Sequence, residues 1–371
     1  MRLPPIHGRP PAATTTASPR SVFVSGEDGY ACFRTPALLA TASGMLLAFC
    51  EGRQHGCGDE GDIDLVLRRS GDGGRSWGPM RVLVQDRHTA KNPVPVLLDD
   101  GRVLLVWVWH RRLSSKKQRT TREVFTSVSA DDGLSWSEPR RITEQVYRPD
   151  WGWYGVGPGH GIVQRHGPAR GQVVIAARHG QKGERMVSHL LMADGSGEHW
   201  RIGADALIRP TGEAMVAELG DGTLMLNSRS KGGQRVVSLS RDGGLTMQRS
   251  WRDPQLIEPV NGCQASLLAI PARGPGQLTQ LLFSNPADRQ ARTNGRLRRS
   301  LDEGRSWDAG LLYSDPPPAF SGYSDLTLLA NGEVGLLFET GDLHLKHSPQ
   351  TGEKLVRHDL IAFSRISLNS A

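Results

Sequence analysis

Cysteine is scarce in this 371-residue chain, and its spacing carries no signature. The four cysteines, Cys32, Cys50, Cys57 and Cys263, form no CxxC pair and have no histidine spacing of the zinc type, which argues against a structural metal site. They read as free thiols without a role. His344 and His347 lack a carboxylate or cysteine that would complete a metal set, so neither metal nor cofactor is expected. No apolar run approaches the roughly 20 residues of a membrane span, which excludes helical membrane insertion. Useful helical periodicity is missing as well. Lysine is rare: seven of the 45 basic side chains are lysine, so 38 are arginine, in a chain of net charge +7. Guanidinium groups bind planar anions bidentately, which leaves carboxylates, phosphates and nucleic acid open as ligands. The first twenty residues contain no acid and no apolar core, so they do not make a complete secretory signal. Residues 1–25 are expected to be a disordered arm, and 26–371 a single domain.

What is present points to strands and turns. At 37% hydrophobic and 22% charged the chain can bury a sizeable core, and 44 glycines with 23 prolines suit short strands joined by many turns. Apolar runs flank turns at Ser43-Gly44, Asp100-Gly101, Arg170-Gly171, Asp221-Gly222, Pro275-Gly276 and Asn331-Gly332, with glycine spacings of 57, 70, 51, 54 and 56. Each reads as a hairpin. A second signal interleaves with the first. Ser-x-Asp-x-Gly-x-Ser/Thr-Trp occurs at Ser70–Trp77, Ser129–Trp136 and Ser300–Trp307, with Met replacing Trp at Ser240–Met247 and a decayed copy at Ala193–Trp200. In such a segment the Asp accepts backbone N–H bonds, the glycine takes a positive φ, and the Trp packs beneath the turn, a scaffold device. Two hairpins per period give a four-stranded antiparallel sheet, and six such sheets give an all-β, six-bladed β-propeller, closed by the tail Leu360–Ser364.

Ionisable residues gather at one end of several hairpins. Arg34, Glu213 and Tyr323 lie nine or ten residues before a turn glycine, and Glu51, Arg229 and Glu339 lie seven after one. These positions sit roughly opposite each other, far from the turn. Burying such charges costs several kcal/mol unless they are paired or used, so a functional cluster is expected at the mouth of the channel.

At these residues the chain resembles the sialidase (neuraminidase) family of exo-glycosidases. The resemblance is carried, in order, by Phe33-Arg-Thr-Pro-Ala-Leu-Leu39, Ala48-Phe-Cys-Glu-Gly-Arg53, Gly61–Ser70, Trp153-Tyr-Gly-Val-Gly-Pro-Gly-His-Gly161, Glu213–Leu219, Leu226-Asn-Ser-Arg229, Phe283-Ser-Asn-Pro286 and Tyr323-Ser-Asp-Leu-Thr327. It implies an exo-α-sialidase that removes terminal α-linked sialic acid with retention. Three arginines, Arg34, Arg229 and Arg292, would hold the substrate carboxylate, with Glu339 fixing Arg34 and Arg53 beside it. Tyr323 would be the nucleophile and Glu213 its base. A neutral phenol is not repelled by the carboxylate on the anomeric carbon, and sialidases are the known tyrosine exception among glycosidases that otherwise use paired carboxylates. Asp59, on a loop past the first arginine, would be the acid/base. Its neighbours Glu60, Asp62 and Asp64 compete for that role, although Asp62 and Asp64 open a strand and would cap or solvate it.

Two departures from the family pattern bear on substrate range. Thr35 stands in place of an aliphatic residue, and Gly212 in place of a larger polar one. The expected partners are sialylated glycans or glycolipids. The basic stretch Arg111–Arg122, with Lys116 and Lys117, lacks interleaved aromatics and reads as a solvated hairpin loop, so nucleic acid is not expected. Gly157, Gly159 and Gly161 precede no Lys-Ser/Thr and so form no phosphate loop. The rival readings are a hydrolase for a related nine-carbon 2-keto acid, a trans-sialidase, and a sialic-acid-binding propeller without catalysis.

Overall fold

The computed structural model describes residues 14–15, 18–111, 122–181, 185–272, 274, 277–314, 319–341, 346–347, 354–355 and 360–368. Among them one four-residue α-helix, Thr143–Val146, interrupts an otherwise all-β chain. No helix is long and apolar enough to cross a membrane.

Strands pair antiparallel in sequence order, as short turns between apolar runs require. Thr211–Glu218, Leu224–Ser230, Gln234–Ser240 and Arg249–Ile257 form one four-stranded blade, and Ser266–Ile270 to Leu311–Leu312 form the next. An eight-stranded sheet divides into two further blades, 32–84 and 89–141, joined by a single parallel bridge between Ile63 and Thr89. In the third blade the innermost strand is split into Trp151–Val156 and Ile162–Val163, both paired with Val173–Gln181. The sixth blade pairs Phe320–Leu328, Val334–Gly341 and Leu360–Ser367. Six apolar clusters fill the six seams between neighbouring blades, and the last, holding Leu38 and Cys50 with Phe363, closes the ring.

The two sequence signals occupy different places in the blades where both are described. Turn glycines Gly44, Gly101, Gly171, Gly222 and Gly332 all have φ between 83° and 86° and join the two innermost strands, whereas Pro275-Gly276 lies outside the described residues. The Asp motif joins the outer strands. Asp72 accepts the backbone N–H groups of Arg75 and Ser76, both at 2.9 Å, and the Ser76 hydroxyl at 2.6 Å. Asp131, Asp242 and Asp302 repeat the pattern, and in the decayed copy Asp194 receives Glu198 and His199 N–H. The residue that ends each motif fills the seam toward the preceding blade: Trp77, Trp136, Trp200, Met247 and Trp307 in turn. The motif is therefore a mortar between blades as well as a turn.

Two expectations need correction. Arg20–Val24 does not belong to an arm outside the propeller; it is the outermost strand of the sixth blade, paired with Leu360–Ser367, and buries Val22 and Phe23 in the closing seam. The tail strand is thus third in its blade, and the N-terminal strand seals the ring. The cysteines are not all free either: Cys32 and Cys57 form a disulfide, while Cys50 and Cys263 are buried thiols. Bridging needs the Cα atoms within about 7 Å, which the hairpin provides and linear spacing does not reveal. His344 lies outside the described residues.

At the centre the innermost strands are tied by Asp325, which is fully buried. Its carboxylate receives Leu38 N–H at 2.9 Å and the Ser266 hydroxyl at 2.8 Å, and it faces His160 Nδ1 at 2.8 Å. Gly159 passes so close to Met215 that a Cβ there would meet the sulfur at 2.4 Å, which explains this glycine run without any phosphate.

Candidate active site

Four innermost strands share one irregularity at the same depth. Two residues on the inner strand oppose one on its partner: Thr35 and Pro36 against Cys50, Asn92 and Pro93 against Trp107, Gly212 and Glu213 against Arg229, and Gly322 and Tyr323 against Glu339. A bulge of this kind kinks the strand and re-aims the adjoining side chains. Repeated around the ring, it turns Arg34, Lys91, Glu213 and Tyr323 into one pocket of about 610 Å³.

Seven of the eight sequence-derived site residues line that pocket: Arg34, Arg53, Asp59, Glu213, Arg229, Arg292 and Tyr323. The eighth, Glu339, is fully buried behind it. Glu339 receives Arg34 Nε at 3.2 Å, Thr35 N–H at 2.8 Å and Tyr323 N–H at 3.1 Å, so one carboxylate sets both an arginine and the tyrosine. Thr35 holds φ at 60°, a costly conformation for a β-branched residue, and its N–H bond to Glu339 helps to keep it there. The neighbouring blade repeats the device. Asn92, at φ 55°, donates its N–H to the buried Glu51 at 3.0 Å.

Tyr323 sits among three guanidinium groups. Arg34 and Arg292 lie over its ring, 5.2 and 5.4 Å from the centroid, and Arg229 Nη1 is 3.5 Å from its hydroxyl. That hydroxyl donates to Glu213 Oε1 at 2.5 Å. Burial, and then the Glu213 charge, push the phenol well above its usual range, so it is neutral at rest. Glu213 is buried too, which alone would raise its pKa, but Arg178 at 3.4 Å and Arg229 at 2.7 Å pull it down to about 2. A neutral phenol thus faces an ionised carboxylate.

Asp59 stands on the loop between Leu46–Arg53 and Ile63–Ser70, with its side chain 71% exposed, 2.9 Å from Arg53 and 3.6 Å from Arg34. Partial burial raises its pKa, but Lys91, Arg53 and Arg34 hold it below the ordinary aspartate value. Of its competitors, Glu60 also lines the pocket and pairs with His110 at 2.6 Å. Asp64 turns away and, rather than being solvated, is buried on the Tyr30 hydroxyl at 2.7 Å.

Sequence reasoning missed part of the lining: Lys91, Asn92, Arg122, Trp153, Arg178 and Met186. Lys91 has the same bulge register as Arg34, a signal that aligning the blades would have shown. Arg178 and Arg122 stack on Trp153, at 4.8 and 4.6 Å from its ring centroid. Arg122, expected on a solvated loop, is therefore half-buried in the pocket, whereas 112–121, including Lys116 and Lys117, lie outside the described residues. His179, His189 and Asp205 bring possible metal-ligating atoms within 4.8 Å of one another, but none of them lines the pocket.

Residues 44–336 match the BNR repeat-like domain family. A sialidase of Micromonospora viridifaciens is 32% identical over 355 residues, spanning 90% of this chain and 53% of its own. An exo-alpha-sialidase of Aspergillus fumigatus is 30% identical over 84% of this chain and 79% of its own. The solved structure of a Hadza microbial sialidase matches with a TM-score of 0.79 at 30% identity, over 94% of this chain and 68% of its own. The chain spans about half the length of the Micromonospora relative and 62% of a Bacteroides fragilis sialidase that is 30% identical. A family match over most of the chain, and 30% identity across 79% of a curated relative, show that this protein belongs to the sialidase family.

Proposed function

We propose that this chain is a retaining exo-α-sialidase that hydrolyses terminal α-linked sialic acid from glycans or glycolipids. The observation that carries the reading is the Tyr323 hydroxyl, 2.5 Å from an ionised Glu213 and ringed by Arg34, Arg229 and Arg292. The three guanidinium groups take the substrate carboxylate and set the anomeric carbon over the phenol. Tyr323 Oη attacks that carbon as its proton passes to Glu213, and Asp59 protonates the departing glycosidic oxygen. Water, deprotonated by Asp59, then displaces the tyrosine, and Glu213 returns the phenolic proton. Two inversions give retention. The cations around Asp59 keep it ionised at rest; a substrate carboxylate on Arg34 offsets one of them and favours the protonated acid. Lys91, Arg122, Trp153 and Arg178, with Gly212 beside the Arg229 stem, would shape the contacts to the sugar's substituents.

The test is release of a fluorogenic aglycone from an α-linked sialoside. Wild type turns it over and Tyr323→Phe loses orders of magnitude in rate, while Asp59→Ala loses far less on this aryl leaving group than on a sialoside whose leaving group is a sugar alcohol. Binding of the sialoside by wild type without turnover would leave only a lectin, and full activity in Tyr323→Phe would remove the nucleophile.

A further inference from the structure

The disulfide has a specific address. Cys32 opens the strand Cys32–Ala40, two residues before Arg34, and Cys57 lies in the connection between Arg53 and Ile63, two residues before Asp59. In the ladder Cys32 faces Arg53, the last strand residue before that connection. The bridge therefore ties the strand that carries a carboxylate-binding arginine to the loop that carries the acid.

The loop needs such a tie. Residues 54–62 form no strand, most are half-buried or exposed, and Asp59 projects into solvent. Segments with few apolar contacts are those that open at lowest cost. Beyond the Thr89 hydroxyl on the Gly61 carbonyl and Gln54 N–H on the Asp62 carbonyl, the anchors next to Asp59 come from cations. Arg53 Nη1 donates to the carbonyls of Cys57 at 2.6 Å and Gly58 at 2.9 Å, as well as to the Asp59 carboxylate, and Lys91 Nζ donates to the Asp59 carbonyl. An anionic substrate entering this pocket competes for the field of those same cations. The covalent bridge does not depend on that field.

We infer that the Cys32–Cys57 disulfide is a positioning element that holds the Asp59 loop in register with the glycosidic oxygen. The inference rests on Asp59 being the acid, as proposed above. An acid must come within hydrogen-bond reach of the oxygen it protonates, and a displacement of about 1 Å can cost about 10²-fold in rate. The dependence is selective: a leaving group that departs without a proton does not need the register, and an alcohol does.

The experiment compares kcat/KM on nitrophenyl α-sialoside, whose leaving group needs no proton, with that on sialyl-lactose, whose sugar alcohol does. Enzymes are wild type, Cys32→Ser/Cys57→Ser and Asp59→Ala. The expected result is a loss of about 10- to 100-fold on sialyl-lactose for the double variant, with the aryl substrate and the Kd of free sialic acid nearly unchanged. Because the double variant can fail to fold, folded wild type is also treated with a small dithiol. The bridge takes two electrons and two protons, the dithiol becomes its cyclic disulfide, and reoxidation restores the sialyl-lactose rate. Equal loss on both substrates, or loss on neither, overturns the positioning role. If Asp59→Ala shows no leaving-group split, the acid assignment itself fails. If it shows the split and the cysteine variant does not, only the bridge fails.

Discussion

Replacing Arg178 tests the electrostatics of the pocket at one atom pair. Arg178 Nη2 lies 3.4 Å from Glu213 Oε1, both side chains are about nine-tenths buried, and Arg178 is, with Arg229, one of the two cations holding Glu213 at about 2. At an effective dielectric constant near 20 the direct attraction is about 5 kcal/mol; an adjacent arginine typically lowers a carboxylate by about 1–3 units after desolvation. Arg178→Met removes the charge, together with the guanidinium that lies over Trp153 and donates to the Gly157 carbonyl, so Glu213 rises toward the ordinary glutamate range while Arg229 remains. The acid limb of kcat/KM shifts upward by the same amount. At acid pH the variant therefore has less of its base ionised than wild type and loses more activity there, recovering near neutrality. Stability follows with a fixed sign. The folded value lies below the unfolded one of about 4.3, so the contribution is complete above that pH and fades as pH falls toward 2; in the variant about 1–4 kcal/mol of it is gone at neutral pH. The assay is a pH–rate profile with thermal melts, and Arg178→Lys, which retains the charge, stays near wild type. An equal loss at every pH with an unmoved acid limb would refute the reasoning.

Glu339→Gln leaves Arg34 without its buried counter-ion and sets an amide donor against N–H donors; the expected cost is about 3–5 kcal/mol, or about 5 °C in Tm, with kcat/KM down about 10²-fold by calorimetry and sialoside kinetics. Asp325→Ala strands Leu38 N–H and the Ser266 hydroxyl in the channel, and is expected to lower Tm as much while leaving every pocket-lining side chain in place. Asp302→Ala removes acceptors for Ser306 N–H and the Ser306 hydroxyl; by analogy with a lost helix cap it costs about 1 kcal/mol, or about 1 °C, with kcat/KM intact. Hydrogen bonding holds Asp302 below the ordinary aspartate value, so this last contribution is present above about pH 4 and disappears at lower pH.

Much of this molecule is written locally. The turn glycines and Asp motifs recur with a period that each blade satisfies by its own hydrogen bonds, so the repeat, the strand order and the all-β class follow from short-range chemistry. Seven of the eight residues marked by spacing and resemblance line the pocket; bulges at one depth in several blades aim Arg34, Glu213 and Tyr323 at one axis, and the neighbouring strands and loops bring in the rest. Which partners they meet is not written locally; the resemblance implied the two pairings that follow, and the fold brings them together. Glu339 reaches Arg34 across 305 positions and Glu213 reaches Tyr323 across 110, distances at which no local pattern survives. Arg178 is marked by no motif, Trp153 opens a resembling segment but is given no role by it, and Arg20–Val24 reads as an arm until Leu360–Ser367 arrives to pair with it. Cys32 and Cys57 become a bridge only when the hairpin between them folds. Periodicity fixes each unit because it depends on neighbours in sequence; closing the ring fixes the chemistry because it depends on neighbours in space.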